Sequence, residues 1–107
     1  MSVIIKDSNG QLVPTVFKLG TTQVLAAANT SAATTNAFGT FTTMVRVACS
    51  LGHCHVAFGP TPVATVTTSA MIPTNSVGVF SVNPGDKMAV IKDATVTSST
   101  VSVTEVI

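Results

Sequence analysis

The side chains of this sequence that could bind a metal or act as nucleophiles are concentrated in one short segment. Cys49, His53, Cys54 and His55 lie close together in the chain. Zinc sites commonly use a Cys or His pair about two to four residues apart on a turn, with a second pair elsewhere. On a strand, alternation would instead point Cys54 inward and His53 and His55 outward. Because the four side chains then diverge, we expect no metal ligands and no cofactor.

Cys49 and Cys54 also raise the question of a disulfide. A hairpin loop at residues 50–53 would place them opposite each other on the same inner face, within range of a bridge. The alternative is a pair of buried thiols that pack as small hydrophobic groups. We favour the thiols because a chain made in the cytosol keeps its cysteines reduced. A disulfide formed by oxidation after release from the cell remains the alternative.

His53 and His55 are predicted to lie at a hairpin tip and on its outer face, beside Arg46. One interpretation is a pH-sensitive contact or a binding patch, since histidine titrates near neutral pH. We favour the simpler interpretation of two solvated histidines.

The sequence predicts no catalytic residues and no enzyme. A hydrolase needs a nucleophile, a base and an orienting carboxylate that converge. The carboxylates are Asp7, Asp86, Asp93 and Glu105, of which Asp7 and Asp86 occupy turn positions where Asp is expected for structural reasons. No glycine-rich phosphate loop and no paired-carboxylate spacing are present.

The composition is typical of a small β protein. The 107 residues are 46% hydrophobic and 8% charged, and valine, threonine and serine dominate. Valine and threonine favour the pleated surface of a sheet. So few charges do little to keep an isolated monomer soluble. We therefore expect the protein to bury surface against copies of itself or against a partner. A homotrimer is one option.

Neither nucleic acid nor a membrane is an expected partner. Binding to phosphates needs clustered positive charge, and the basic residues form no run: Lys6, Lys18, Arg46, Lys87 and Lys92. The longest apolar stretches, such as residues 24–28, are far shorter than the roughly 20 residues of a membrane helix. The first residues do not resemble a secretory signal, so we expect synthesis in the cytoplasm.

Period-two alternation and turn residues predict eight or nine short strands in one domain, residues 1–107. The fold class is therefore all-β, a jelly-roll-like β-sandwich of mainly antiparallel strands. The predicted strands cover residues 3–5, 12–19, 22–28, 45–49, 54–58, 63–68, 77–82, 87–91 and 100–107. Residues 29–36 are predicted to be a surface loop, and residues 83–86 a type II turn because Pro84 and Gly85 suit it.

Two further features bear on function. Residues 1–20 are predicted to form an N-terminal hairpin or an arm that pairs with a neighbour. The aromatic residues are five phenylalanines without Trp or Tyr, and they suit a core better than a sugar-stacking site. They are Phe17, Phe38, Phe41, Phe58 and Phe80.

The order of these signals resembles a family of small virion structural proteins of tailed bacteriophages. The resemblance rests on residues 45–48, 54–59, 62–65, 71–73, 79–82, 84–87, 89–91 and 101–105, and on the opening residues 3–7 followed by Gly10. It implies a non-enzymatic β domain on the virion, a capsid decoration or cement protein that binds the major capsid protein on the head surface. The alternative is a host-receptor or carbohydrate-binding module on a tail or fibre.

Overall fold

The computed structural model describes residues 18–107, which form eight strands. The strands are β1 (Leu19–Ala27), β2 (Ala32–Ala33), β3 (Met44–Ser50), β4 (Cys54–Gly59), β5 (Ala70–Ile72), β6 (Val77–Ser81), β7 (Lys87–Lys92) and β8 (Ser99–Val106). The described residues contain no helix, and so none that could span a membrane.

The strands form two four-stranded antiparallel sheets. Sheet I has the order β1-β8-β3-β6, and sheet II has the order β2-β7-β4-β5. Consecutive strands alternate between the two sheets except β4 and β5, which pair directly in sheet II, and this is the strand order of a jelly roll. The predicted fold class, an all-β jelly-roll-like sandwich, is confirmed.

Alternating side chains build the core between the two sheets. In β3, Val45, Val47 and Cys49 are buried, whereas Arg46 and Ala48 lie on the opposite face and are half-buried. In β8, Val101 and Val103 face the same core. The alternation predicted for these strands is confirmed, and sheet II contributes Cys54, Val56, Met88 and Val90 to the core.

The turn at residues 83–86 is also confirmed. Gly85 has a φ of 84°, and the Asp86 amide donates to the carbonyl of Asn83 over 3.1 Å. A glycine suits this third position of the turn because the left-handed conformation is free of strain there. The turn carries the chain from β6 in sheet I to β7 in sheet II.

Two segments differ from the predicted secondary structure. Residues 63–68 form no strand, because Thr65 and Ser69 hold them in a turn: the Thr65 amide donates to Ser69 Oγ and the Ser69 amide to the Thr65 carbonyl. The segment 29–36, predicted as a loop, contains the two-residue strand β2, which pairs with Ala89 and Val90.

At the N-terminal end, the predicted strand at 22–28 is confirmed as part of β1. The strand begins at Leu19, where the Ile107 amide donates to the Lys18 carbonyl over 2.8 Å. The predicted strand at 3–5 and most of the predicted arm at 1–20 lie outside the described residues, as does Phe17.

Candidate functional site

His55 is buried, so the prediction that it is solvated is wrong. Its side chain points away from the core, but the segment before β5 and the loop after β7 cover it. His55 Nε2 lies 2.7 Å from Asp93 Oδ1, and His55 Nδ1 lies 3.1 Å from the carbonyl oxygen of Ser69. Both ring nitrogens therefore face an oxygen atom inside the fold.

Asp93 is the partner that fixes His55. The Thr95 amide and hydroxyl donate to Asp93 Oδ2, the amide over 3.1 Å. These hydrogen bonds from Thr95, together with that from His55, hold the pKa of the Asp93 carboxyl well below its ordinary value. The group is a closed hydrogen-bonded contact that fastens β4 to the loop after β7.

His53 has a different partner, and the expected group of two histidines beside Arg46 does not form. The Thr74 amide donates to His53 Nδ1 over 2.9 Å, and the Thr74 hydroxyl lies 3.2 Å from the same atom. Arg46 belongs to β3 in sheet I, whereas His55 belongs to β4 in sheet II.

Cys49 and Cys54 both face the core, but from different sheets. The predicted hairpin at residues 50–53 is wrong: the loop crosses from β3 in sheet I to β4 in sheet II. The two cysteines are free thiols, and the Cys49 thiol donates to the Gly52 carbonyl over 2.8 Å. Burial, reinforced by a hydrogen bond with Cys49, raises the pKa of the Cys54 thiol to about 12. A protonated, buried thiol is a poor nucleophile and a poor metal ligand.

The described residues contain no group of three or more His, Cys, Asp or Glu side chains that could hold a metal ion. Their three carboxylates are each committed to a partner inside the fold. Asp93 pairs with His55, and Asp86 Oδ2 accepts the Asn83 amide over 3.0 Å. Glu105 points into the protein, where it accepts the Gly39 amide over 2.8 Å and the Thr42 hydroxyl over 2.5 Å.

The outer face of sheet I exposes apolar side chains on its two edge strands, β1 and β6, whereas Thr104 on β8 is buried. Two rows of paired side chains cross all four strands on this face. One row is Val24, Ser102, Ala48 and Val77, and the other is Thr22, Thr104, Arg46 and Val79. The three valines are exposed by 66%, 53% and 43% in chain order. The face is therefore apolar and hydroxyl-bearing, with one charged group in these rows.

The phenylalanines divide between core and surface. Phe38 is buried, and Phe58 and Phe80 pack against the core with ring centroids 5.5 Å apart. Phe41 is 93% exposed, so the prediction that it joins the core is wrong. It lies between Gly39 and Thr42, the two residues that Glu105 holds.

Sequence reasoning missed the His55–Asp93 pair and the exposed ring of Phe41. The residue types gave one usable signal for the outer face: Arg46 alternates with core valines, which places a charge on an otherwise neutral surface. Nothing in the local sequence shows that Asp93 meets His55, because the contact depends on sheet II being formed.

The described residues thus form an eight-stranded jelly-roll domain, in which the outer face of sheet I carries valines, hydroxyl groups and Arg46. Comparisons of the chain with protein-family models, with curated proteins and with solved structures find no match.

Proposed function

We propose that this chain is a non-enzymatic structural protein of a tailed bacteriophage, which decorates and cements the head by binding the major capsid protein. The observation that carries the proposal is the outer face of sheet I, with Val24, Val77 and Val79 exposed across the sheet. Apolar side chains exposed on both edge strands of one sheet face, with few charges around them, are suited to pack against another protein. The resemblance of the strand and turn signals to phage virion proteins supports the same function.

The fold is compatible with this role but does not select it. Double-sheet jelly rolls occur in viral capsid domains and also in lectins. The His55–Asp93 pair is closed on both sides, both thiols are buried, and burial raises the pKa of the Cys54 thiol. The described polar groups therefore favour a passive role in which attachment comes from buried area and hydrogen bonds.

Cementing would follow from the position of each bound copy. A subunit that contacts two neighbouring capsid proteins raises the free energy needed to separate them. Hydrophobic contacts are weakly affected by salt, in contrast to exposed ion pairs. We therefore expect attachment to the head to vary little between low and physiological ionic strength.

The proposal includes self-association through the N-terminal arm, residues 2–19. The arm joins the structure at Leu19, the first residue of β1, and β1 is an edge strand of sheet I. Edge strands carry unpaired backbone donors and acceptors that favour pairing with another chain. Unchanged oligomeric mass and head binding after deletion of residues 2–17 would exclude this role for the arm.

The experiment that tests the function is reconstitution on heads of the encoding phage that lack this protein. Purified chain is added to the heads, and co-sedimentation and the temperature of head disruption are measured. We expect saturable binding and a higher disruption temperature. Failure to bind heads, combined with binding of the isolated domain to host glycans or host cells, would support the receptor-binding alternative instead.

A further inference from the structure

Arg46 lies half-buried on the outer face of sheet I, between the edge strand β6 and the middle strand β8. Its register neighbours are Thr104 on β8 and Val79 on β6, neither of which carries a charge. The Arg46 side chain makes no hydrogen bond or ion pair with any other residue of the described range 18–107. An unpaired guanidinium among exposed valines is suited to accept a carboxylate from outside.

The same chain does not offer that carboxylate in its described part. Asp86, Asp93 and Glu105 are all held by internal hydrogen bonds, and Glu105 is buried. If two copies packed face to face through sheet I, each would bring an Arg46 and no free acidic group from residues 18–107. Burying unpaired like charges is unfavourable, so a second copy fits this face poorly.

We propose that the outer face of sheet I binds the capsid protein, through an apolar surface that presents an Asp or Glu carboxylate to Arg46. The inference rests on the proposed function and adds to it the face and the chemistry of the partner. Val24 and Val77 supply apolar area in the next row, and Arg46 fixes the register by a bidentate pair. In this arrangement, copies of the chain contact each other through other surfaces, including the N-terminal arm.

The test compares four proteins in the head-binding experiment: wild type, Arg46→Ala, Val24→Asp and Val63→Asp. Val63 is the matched control for Val24, since it is 70% exposed but lies in the connection between β4 and β5. Loss of a buried charge partner predicts that Arg46→Ala weakens binding about thirtyfold or more. We expect Val24→Asp to weaken binding as strongly, and Val63→Asp to bind like wild type. Thermal unfolding of each variant checks that the domain is folded.

Other results would overturn the inference in distinguishable ways. If Arg46→Ala and Val24→Asp bind heads as wild type does, the capsid contact lies elsewhere, and the proposed function stands without this face. If only Val24→Asp is impaired, the carboxylate partner is wrong. If sedimentation shows that the wild type self-associates and Arg46→Ala abolishes it, the occupant is a second copy, with Asp7 as the remaining carboxylate. If wild-type protein binds no heads, the proposed function fails and this inference fails with it.

Discussion

His55 Nε2 and Asp93 Oδ1 lie 2.7 Å apart and join segments 38 residues distant in the chain. His55 stands in the middle strand pair of sheet II, opposite Ile91, while Asp93 follows directly after β7. The contact therefore closes the end of sheet II at the point where the chain leaves for sheet I. It acts on stability, because both groups are already occupied by partners inside the fold.

Removal of this contact should destabilise the domain. We expect His55→Ala to lower the free energy of unfolding by about 1–3 kcal/mol, since the Ser69 carbonyl and Asp93 Oδ1 lose their His55 contacts. Urea unfolding measures the change. His53→Ala is the matched control, and we expect a smaller loss because His53 is half-buried and its partner Thr74 can turn to water. Equal losses in the two variants would contradict the role assigned to His55.

Asp93 should make stability depend on acid pH. Its pKa is lowered in the folded protein, so the unfolded chain binds a proton first as the pH falls. The stabilisation is present above the ordinary Asp pKa of about 3.9 and is lost as the pH falls toward the lower folded value. The difference in unfolding free energy between wild type and Asp93→Asn should therefore shrink from pH 6 to pH 3.

Thr95→Val provides the control for that titration. It removes the hydroxyl donor to Asp93 but keeps the backbone amide, so the loss should shift to a higher pH than in the wild type. A difference between wild type and Asp93→Asn that stays constant across the range would show that the carboxylate contributes nothing through its charge.

Cys54 should make the stability of the domain depend on alkaline pH. Its pKa is raised from 9.0 to about 12, so folding favours the protonated thiol. The stabilisation is complete below pH 9 and falls as the pH rises toward 12, because the unfolded chain ionises first. Native protein at pH 8 should also react with a thiol reagent only at the rate of unfolding. Rapid labelling of Cys54 in the folded protein would contradict its burial.

Gly52 should tolerate no side chain at the crossing between the sheets. A Cβ atom there would lie 2.3 Å from the Ser98 carbonyl oxygen and 2.9 Å from Val96. Because one obstacle is backbone, we expect Gly52→Ala to cost about 2–3 kcal/mol of unfolding free energy. Gly85→Ala is the control: it has open space but a φ of 84°, and strain alone should cost about 1 kcal/mol. A smaller cost at Gly52 than at Gly85 would be evidence against the close crossing.

Strands in which inward and outward side chains alternate regularly could be predicted from the sequence. In β3 the face of Val45, Val47 and Cys49 is buried as predicted, and the side chains predicted to share a face in β6 and in β8 do so. Residues 63–68 have a similar valine and threonine content but form a turn. Local hydrogen bonds of Thr65 and Ser69 compete there with strand pairing.

Two features could not be predicted from the local sequence: which strands pair with each other, and which side chains are covered by segments distant in the chain. The loop at residues 50–53 has hairpin character, yet it joins strands of different sheets, because the jelly-roll order is set by contacts between distant strands. Alternation correctly turned His55 away from the core but could not show that Ser69 and Asp93 cover it. In the same way, nothing in the sequence near Phe41 indicates that Gly39 and Thr42 donate hydrogen bonds to the buried Glu105.

The buried Glu105 carboxylate holds the two residues that flank the exposed ring of Phe41. Glu105→Ala removes the acceptor of the Gly39 amide and the Thr42 hydroxyl, and we expect a loss of about 2–3 kcal/mol in chemical unfolding. Glu105→Gln keeps one oxygen for these donors and should cost less. Phe41→Ala, at a side chain that is 93% exposed, should change stability by less than about 0.5 kcal/mol. If Phe41→Ala destabilises the domain as much as Glu105→Ala does, the ring is part of the fold, and its exposure cannot serve a partner. If it leaves stability unchanged, Glu105 stabilises a loop that presents Phe41 to the solvent, where the ring is free to contact another protein.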